Sequence, residues 1–178
     1  MKMNKFILAC TMLATTQFAA PSFAQTKTKL TDPEIAHVAV VANQIDINAA
    51  EQAKSKSKDA EVIKFAQTMI DDHTAVIGQA SALVKKLGVT PKDNALSKKL
   101  NADAEHTKKQ LEGKSGKAFD EAYVNNEVAY HKAVISTVEG TLIPQTQNKE
   151  LKELLQKVVP ALKAHLGHAE MLQKKYKK

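Results

Sequence analysis

Apolar residues in this chain recur at spacings of three and four from Thr31 almost to the C-terminus, and runs alternating at period two are absent. The first spacing is that of one helix face, the second that of a strand, so the pattern confines the chain to the all-α class. Thr31-Asp32-Pro33-Glu34 reads as a helix start, with a capping hydroxyl, an early proline and acids in the first turn. The first helix is expected to run to about Ala53 with Ile35, Val38, Ala42, Ile45 and Ala49 inward. A polar turn over Lys54–Lys58 leads to a second helix, about Asp59 to Leu87, with Val62, Phe65, Ala66, Met69, Val76, Ala80 and Leu83 as its stripe. Gly88 and Pro91 stop it. A third, more polar helix runs from Asp93 or Asn94 to about Leu111, and a fourth covers about Lys117 to Glu139. Gly140 to Asn148 is expected to be a loop, and a fifth helix runs from Lys149 nearly to the end, kinked at Pro160.

The third helix carries few large apolar residues and lies between two well-patterned ones, so it serves best as a connection. About 17 residues of helix span about 25 Å, enough to return the chain along a bundle. The expected architecture is a ferritin-like antiparallel four-helix bundle with one long helical crossover, five helices in all. Residues 25–178 are expected to form one domain. Before them, Met1–Ala24 has two lysines, a short apolar stretch and small residues at Ser22 and Ala24, the pattern of a signal peptide cut after Ala24. Export to the periplasm is the corresponding expectation. The sole cysteine, Cys10, falls in that segment, which excludes thiolate metal chemistry from the exported protein. The apolar stretch is too short to span a membrane.

Three expected core seams carry groups that a core should not contain. On the fifth helix Leu155, Val158, Leu162, His165, Ala169 and Leu172 alternate spacings of three and four. On the fourth, Val124, Glu127, His131, Val134 and Val138 do the same, and on the second His73 lies between Met69 and Val76, beside Asp72. Burying such groups unpaired costs several kcal/mol, so they must satisfy one another, bind something or reach solvent. Two readings follow. In one, each histidine bonds a neighbouring helix, His131 for instance with Glu127 or Tyr123, and fixes register. In the other, His73, Glu127, His131 and His165 hold iron, copper or zinc, with Asp46 and Asp72 behind them and Met69 as a soft copper ligand. The paired Glu-x-x-His motifs of a di-iron carboxylate bundle are absent, since Glu127 and His131 are four apart. A second cluster, His165, His168 and Met171 with Glu170 alongside, could form an exposed copper-binding edge. His37 and His106 read as surface residues.

The block Val62-Ile-Lys-Phe65-Ala66-Gln-Thr-Met69-Ile-Asp-Asp72-His73 resembles the signature of domain-of-unknown-function family 4142. Phe119-Asp120-Glu-Ala-Tyr123 with His131 downstream, and Val159-Pro160-x-Leu162-x-x-His165-Leu166, resemble two later blocks of that family. The resemblance covers about residues 31 to 175. It implies an exported bacterial protein with a ferritin-like helical bundle, often labelled an outer membrane protein, and no established activity. The family's pair of acids on the first helix reads Asp46-Ile47-Asn48 here, one carboxylate short. The alternating pattern of barrel strands is missing from the sequence.

The formal charge of +7 is less informative than it looks. Its basic residues are all lysine; without arginine's bidentate fork, sequence-specific nucleic-acid binding is not expected. Lys2 and Lys5 lie in the signal segment and Lys174, Lys175, Lys177 and Lys178 follow the last acid, which leaves twenty lysines against nineteen acids. The Lys174–Lys178 tail is expected to fray and to offer weak contact with anionic envelope surfaces. Serine-nucleophile, Walker, Rossmann and zincin patterns are absent. The leading expectation is therefore a periplasmic, non-enzymatic binding or stress-related module, and the alternative a ferritin-like protein that binds or oxidises a transition metal.

Overall fold

The computed structural model describes residues 29–177; the expected signal peptide, Cys10 and Lys178 lie outside them. Four long helices form the bundle: α1 (Asp32–Lys56), α2 (Ala60–Lys86), α4 (Gly116–Thr137) and α6 (Lys149–Tyr176), with α3 (Ala95–Glu112) as the crossover. Helices α1 and α2 form one antiparallel hairpin, α4 and α6 the other, and α3 carries the chain back along the outside of α1 before α4 descends parallel to α2. This is the one-crossover connectivity expected from the weak third helix.

Local chemistry sets the helix ends. Thr31 and Glu34 close a reciprocal capping box on α1, and Asp59 accepts from Glu61 N at 2.9 Å to start α2. Gly88, at φ +64°, ends α2 in the left-handed conformation that a side chain resists. Asn94 caps α3 through Leu96 N and Ser97 N, and its own amide donates to Glu34 O at 3.1 Å, which ties the crossover to α1.

Three expectations are corrected. The inward face of α1 is not the Ile45–Ala49 stripe: Asp46, Ala50 and Ala53 are buried, while Ile45 and Ala49 are only half-covered. The exposed stripe of α1 is Gln44, Asn48 and Glu51, and Asp46 lies opposite it, so a carboxylate on the inward face is what concealed that face. The expected loop at Gly140–Asn148 is helical for most of its length, with a π turn over Val138–Leu142 and a short helix, α5, at Ile143–Gln145. Pro144 is harmless at a first helical turn, and Leu142 is buried. The real connection is three residues, held where Gln147 N and Asn148 N each donate to the Asp32 carboxylate at 2.8 Å. Helix α6 continues on both sides of Pro160, as expected, and Pro160 faces solvent together with Gln156, the residue whose carbonyl loses its donor. The lysine tail is helical through Tyr176: Lys175 Nζ lies 3.0 Å from Asp59 and 3.1 Å from Glu61, and Tyr176 donates to Asp59 at 2.9 Å.

The core divides at the middle of the bundle. The half holding the C-terminus of α1 and the N-terminus of α4 packs Phe65, Met69, Phe119, Tyr123 and Val124, all 0% exposed. The other half is built from aliphatic residues such as Ile35, Val38, Leu142, Leu151 and Leu155, with no aromatic ring. Val76, Val134 and Val158, expected as full core residues, are only half-buried there.

Candidate metal centre

The four bundle helices each deliver titratable groups to the level where the two halves meet. Asp46 comes from α1, His73 from α2, Glu127 and His131 from α4, and His165 from α6; all five are at most 6% exposed. Side chains one turn apart on α4, Glu127 and His131, face the same way because four residues nearly complete a helical turn. The imidazoles converge: ring centroids are 5.9 Å apart for His73–His131, 5.2 Å for His73–His165 and 5.5 Å for His131–His165. One ring nitrogen from each lies within 4.8 Å of the others, and Asp46, Glu127 and His131 form an overlapping set by the same measure.

Each imidazole has its second nitrogen committed elsewhere. His73 Nδ1 donates to Asn43 Oδ1 at 2.6 Å, and the Asn43 amide is oriented by donating to Ala39 O at 2.8 Å. His131 Nδ1 donates to the backbone oxygen of Glu127 at 3.0 Å. His165 Nε2 donates to Asp72 Oδ2 at 2.8 Å. A neutral imidazole has one N–H and one lone pair, so these bonds leave the lone pairs on His73 Nε2, His131 Nε2 and His165 Nδ1. Those three nitrogens are buried without a hydrogen-bond partner, as are both oxygens of Asp46 and Oε2 of Glu127. Asp46 Oδ2 lies 3.4 Å from His73 Nε2 and 3.5 Å from His131 Nε2. Ligands about 2.0–2.1 Å from a tetrahedral ion sit about 3.4 Å from one another, so these separations already match an edge of such a polyhedron.

Burial also selects protonation states suited to cation binding. It pushes His73 down to about 3, helped by the neighbouring His165 and His131, and His131 down to about 4 against the bond to the Glu127 carbonyl. Both are therefore neutral with a free lone pair at ordinary pH. Burial pushes Asp46 up to about 7 and Glu127 well above the usual carboxylate range, the latter helped by the charge of Asp46. Taking several charges out of water is avoided by neutralising them, and a bound cation would reverse that preference.

The stability consequence has a definite sign. A histidine whose folded pKa is lowered is protonated first in the unfolded chain, so His73 contributes stability that is lost as pH falls from about 6.5 toward 3. Asp46, raised to about 7, acts oppositely, favouring the fold as pH falls through that value. His73→Asn is therefore expected to close its melting-temperature gap to the native protein as pH is lowered from 6.5 to 4 in the metal-free state. A gap that stays constant across the titration would show that His73 is not held neutral by the fold.

The expected site residues thus divide. His73, Glu127, His131 and His165 come together, with Asp46 in direct reach and Asp72 one bond behind His165. Neither expected side-chain bond of His131 forms; the Glu127 backbone takes that place. Met69 packs into the aromatic half of the core. The expected His165–His168–Met171 edge is not assembled: His165 turns inward, His168 packs edge-on against Phe65 at 5.0 Å, and Met171 is 64% exposed. His106 is a surface residue beside Gln110, but His37 is half-buried at the α1–α3 seam, 3.9 Å from Asp93. Asn43 was missed. Its signal was its position three residues before Asp46 on the same side of α1.

The architecture is an all-α bundle whose core holds a ring of three histidines and two carboxylates. The chain belongs to the family described as domain of unknown function (DUF4142), whose model matches residues 17–172. No curated protein matches it. A solved structure, "CopM in the Cu(II)-bound form", is similar in fold, with a TM-score of 0.61 and 18% sequence identity over 82% of this chain and 98% of that one. Among the described residues no helix is long and apolar enough to cross a membrane.

Proposed function

We propose that this protein binds one transition-metal ion, copper(II) in preference to zinc, through His73, His131, His165 and Asp46. The observation that carries the reading is the convergence of three orphaned imidazole lone pairs whose opposite nitrogens are all held by acceptors. Structural histidines that only fix register would direct their nitrogens at different partners; here the unused ones meet. Acceptors on the far nitrogen that fix tautomer and ring orientation are typical surroundings of histidine ligands. Asn43, the Glu127 backbone and Asp72 fill that role.

Three imidazole nitrogens and one carboxylate oxygen, with no thiolate, suit copper, zinc or iron, and among divalent ions copper(II) is held most tightly by such donors. The fold neighbour CopM, solved with Cu(II) bound, supports the same choice. Glu127 lies beside the ligand set on α4 and supplies further negative charge when a cation draws its proton off. Residues 1–24 act in this reading as a signal peptide, so that the bundle of residues 25–178 meets its metal in the periplasm. The function proposed is binding, as a store or buffer of the ion.

Titration of the metal-free protein with copper(II), followed by dialysis and elemental analysis, is expected to leave one equivalent per chain. Zinc should occupy the same site and be displaced by copper. Protein that retains no copper, zinc or iron above background would sink the proposal.

A further inference from the structure

We infer that the aliphatic half of the bundle, below the histidines, is a binding chamber for an uncharged apolar small molecule. It is one arm of a cavity of about 900 Å³ that runs between the two helical hairpins and on along the groove where α3 crosses α1 and α4; cavities of this scale are typical of small-molecule sites. Its walls include Val76, Ala80 and Val84 of α2, Val134 of α4, and Val158 and Leu162 of α6, and its inner end is formed by His73, His131, His165 and Asp46.

The chamber follows from side-chain volume. The two halves share the same four helices, and their backbones cannot approach independently. One half fills the space between them with Phe65, Phe119 and Tyr123. The other is built of aliphatic side chains alone, among them Ile35, Val38, Leu151 and Leu155, and the ring nearest to it, Tyr130, is tied by its hydroxyl to Ala42 O of α1 at 2.8 Å. Val76, Val134 and Val158 are consequently half-buried although they lie on the seams. The cost of an unfilled apolar cavity grows with its volume, and an apolar cavity far smaller than this one takes up benzene. Ala75 and Gln79 of α2 and Lys157 and Ala161 of α6, all exposed, line its opening to solvent.

The wall chemistry selects the occupant. Among the charged residues that line the cavity, Asp103, Glu105, Lys108 and Glu112 belong to its α3 arm and Lys157 to its exposed rim, whereas the aliphatic walls named above carry none, so a formal charge held among them would be buried without a partner. At the inner end the imidazole lone pairs accept hydrogen bonds, which suits an alkyl or aryl molecule carrying at most one hydroxyl. The inference does not depend on the metal reading, because the aliphatic walls are the same with or without an ion at their end.

The test uses the full exported chain, metal-free and copper-loaded, with the neutral fluorophore N-phenylnaphthylamine as probe and decanol as competitor. Saturable one-to-one enhancement, reversed by decanol, is expected in the metal-free protein. Val76→Phe and Val158→Phe supply the missing rings and are expected to weaken the probe at least tenfold while retaining helicity and the copper stoichiometry of the native chain. Decanoate, equal in length but charged, is expected to compete at least tenfold less well than decanol. Should either phenylalanine variant fail to fold, a decanol-dependent rise in the native protein's melting temperature remains the readout. Absence of saturable binding and of that rise, binding unchanged in both folded variants, or decanoate competing as well as decanol would each overturn the inference. Loss of copper binding with probe binding intact would instead overturn only the metal reading.

Discussion

Replacing His131 by alanine is expected to abolish tight copper binding, weakening it by more than about a hundredfold. His131 is fully buried, its Nε2 lies 3.5 Å from Asp46, and its ring is within 6 Å of both other imidazoles. Removing a ligand deletes a metal–nitrogen bond outright, whereas removing the group behind a ligand costs about 10–100-fold. Asp72→Ala, which leaves every ligand but frees His165 to choose its tautomer, should therefore fall between His131→Ala and the native protein. His168→Ala and Met171→Ala should leave affinity untouched, since neither side chain reaches the ring of histidines. Competition with a calibrated chelator, beside a far-ultraviolet circular dichroism spectrum to show the bundle intact, orders the four variants. Native affinity in a folded His131→Ala protein would place the metal somewhere other than the bundle core.

The second large effect concerns stability. Phe65→Ala is expected to lower stability by about 3–5 kcal/mol, the range for deleting a buried ring. Phe65 is 0% exposed and packs edge-on against Tyr123 at 6.3 Å and His168 at 5.0 Å, so its neighbours on α4 and α6 cannot collapse into the space without moving the bundle axis. For a domain of this size each kcal/mol shifts the melting midpoint by about 2–4 °C, which makes a fall of about 10 °C the expected result. Val158→Ala, on the wall of the chamber, removes atoms that already face open space on one side and should cost about 1 kcal/mol. Thermal denaturation of the metal-free variants measures both. Equal costs would mean that the two halves are packed alike and that the chamber closes in solution.

Asp46 and His131 show how far the residues alone could be read. His131 was legible because α4 has a polar outer face, so its seam of Val124, Glu127, His131 and Val134 stands out. Asp46 was not placed on a seam, because a lone carboxylate reads as a surface residue, although it lies opposite the exposed Gln44, Asn48 and Glu51 of α1. The Gly140–Asn148 segment misled for a related reason. Glycine and proline mark chain breaks when considered locally, but Leu142 and Thr146 are buried here, and the contacts of that burial outweigh the local preference.

Helix count, crossover and the inward placement of three histidines were determined by the sequence itself, through periodicity and punctuation, which are properties of neighbouring residues. Whether those histidines met at one level was decided only in three dimensions. Each lies on a different helix, and their relative height depends on where the helices begin along a common axis, a quantity set by caps and connections such as Asp32 with Asn148 and Asn94 with Glu34. The direction of each lone pair depended in turn on acceptors from residues such as Asn43 and Asp72, which no spacing rule pairs with a histidine tens of residues away. The empty half of the core likewise emerged from summing side-chain volumes across four helices, after packing had set the distance between them.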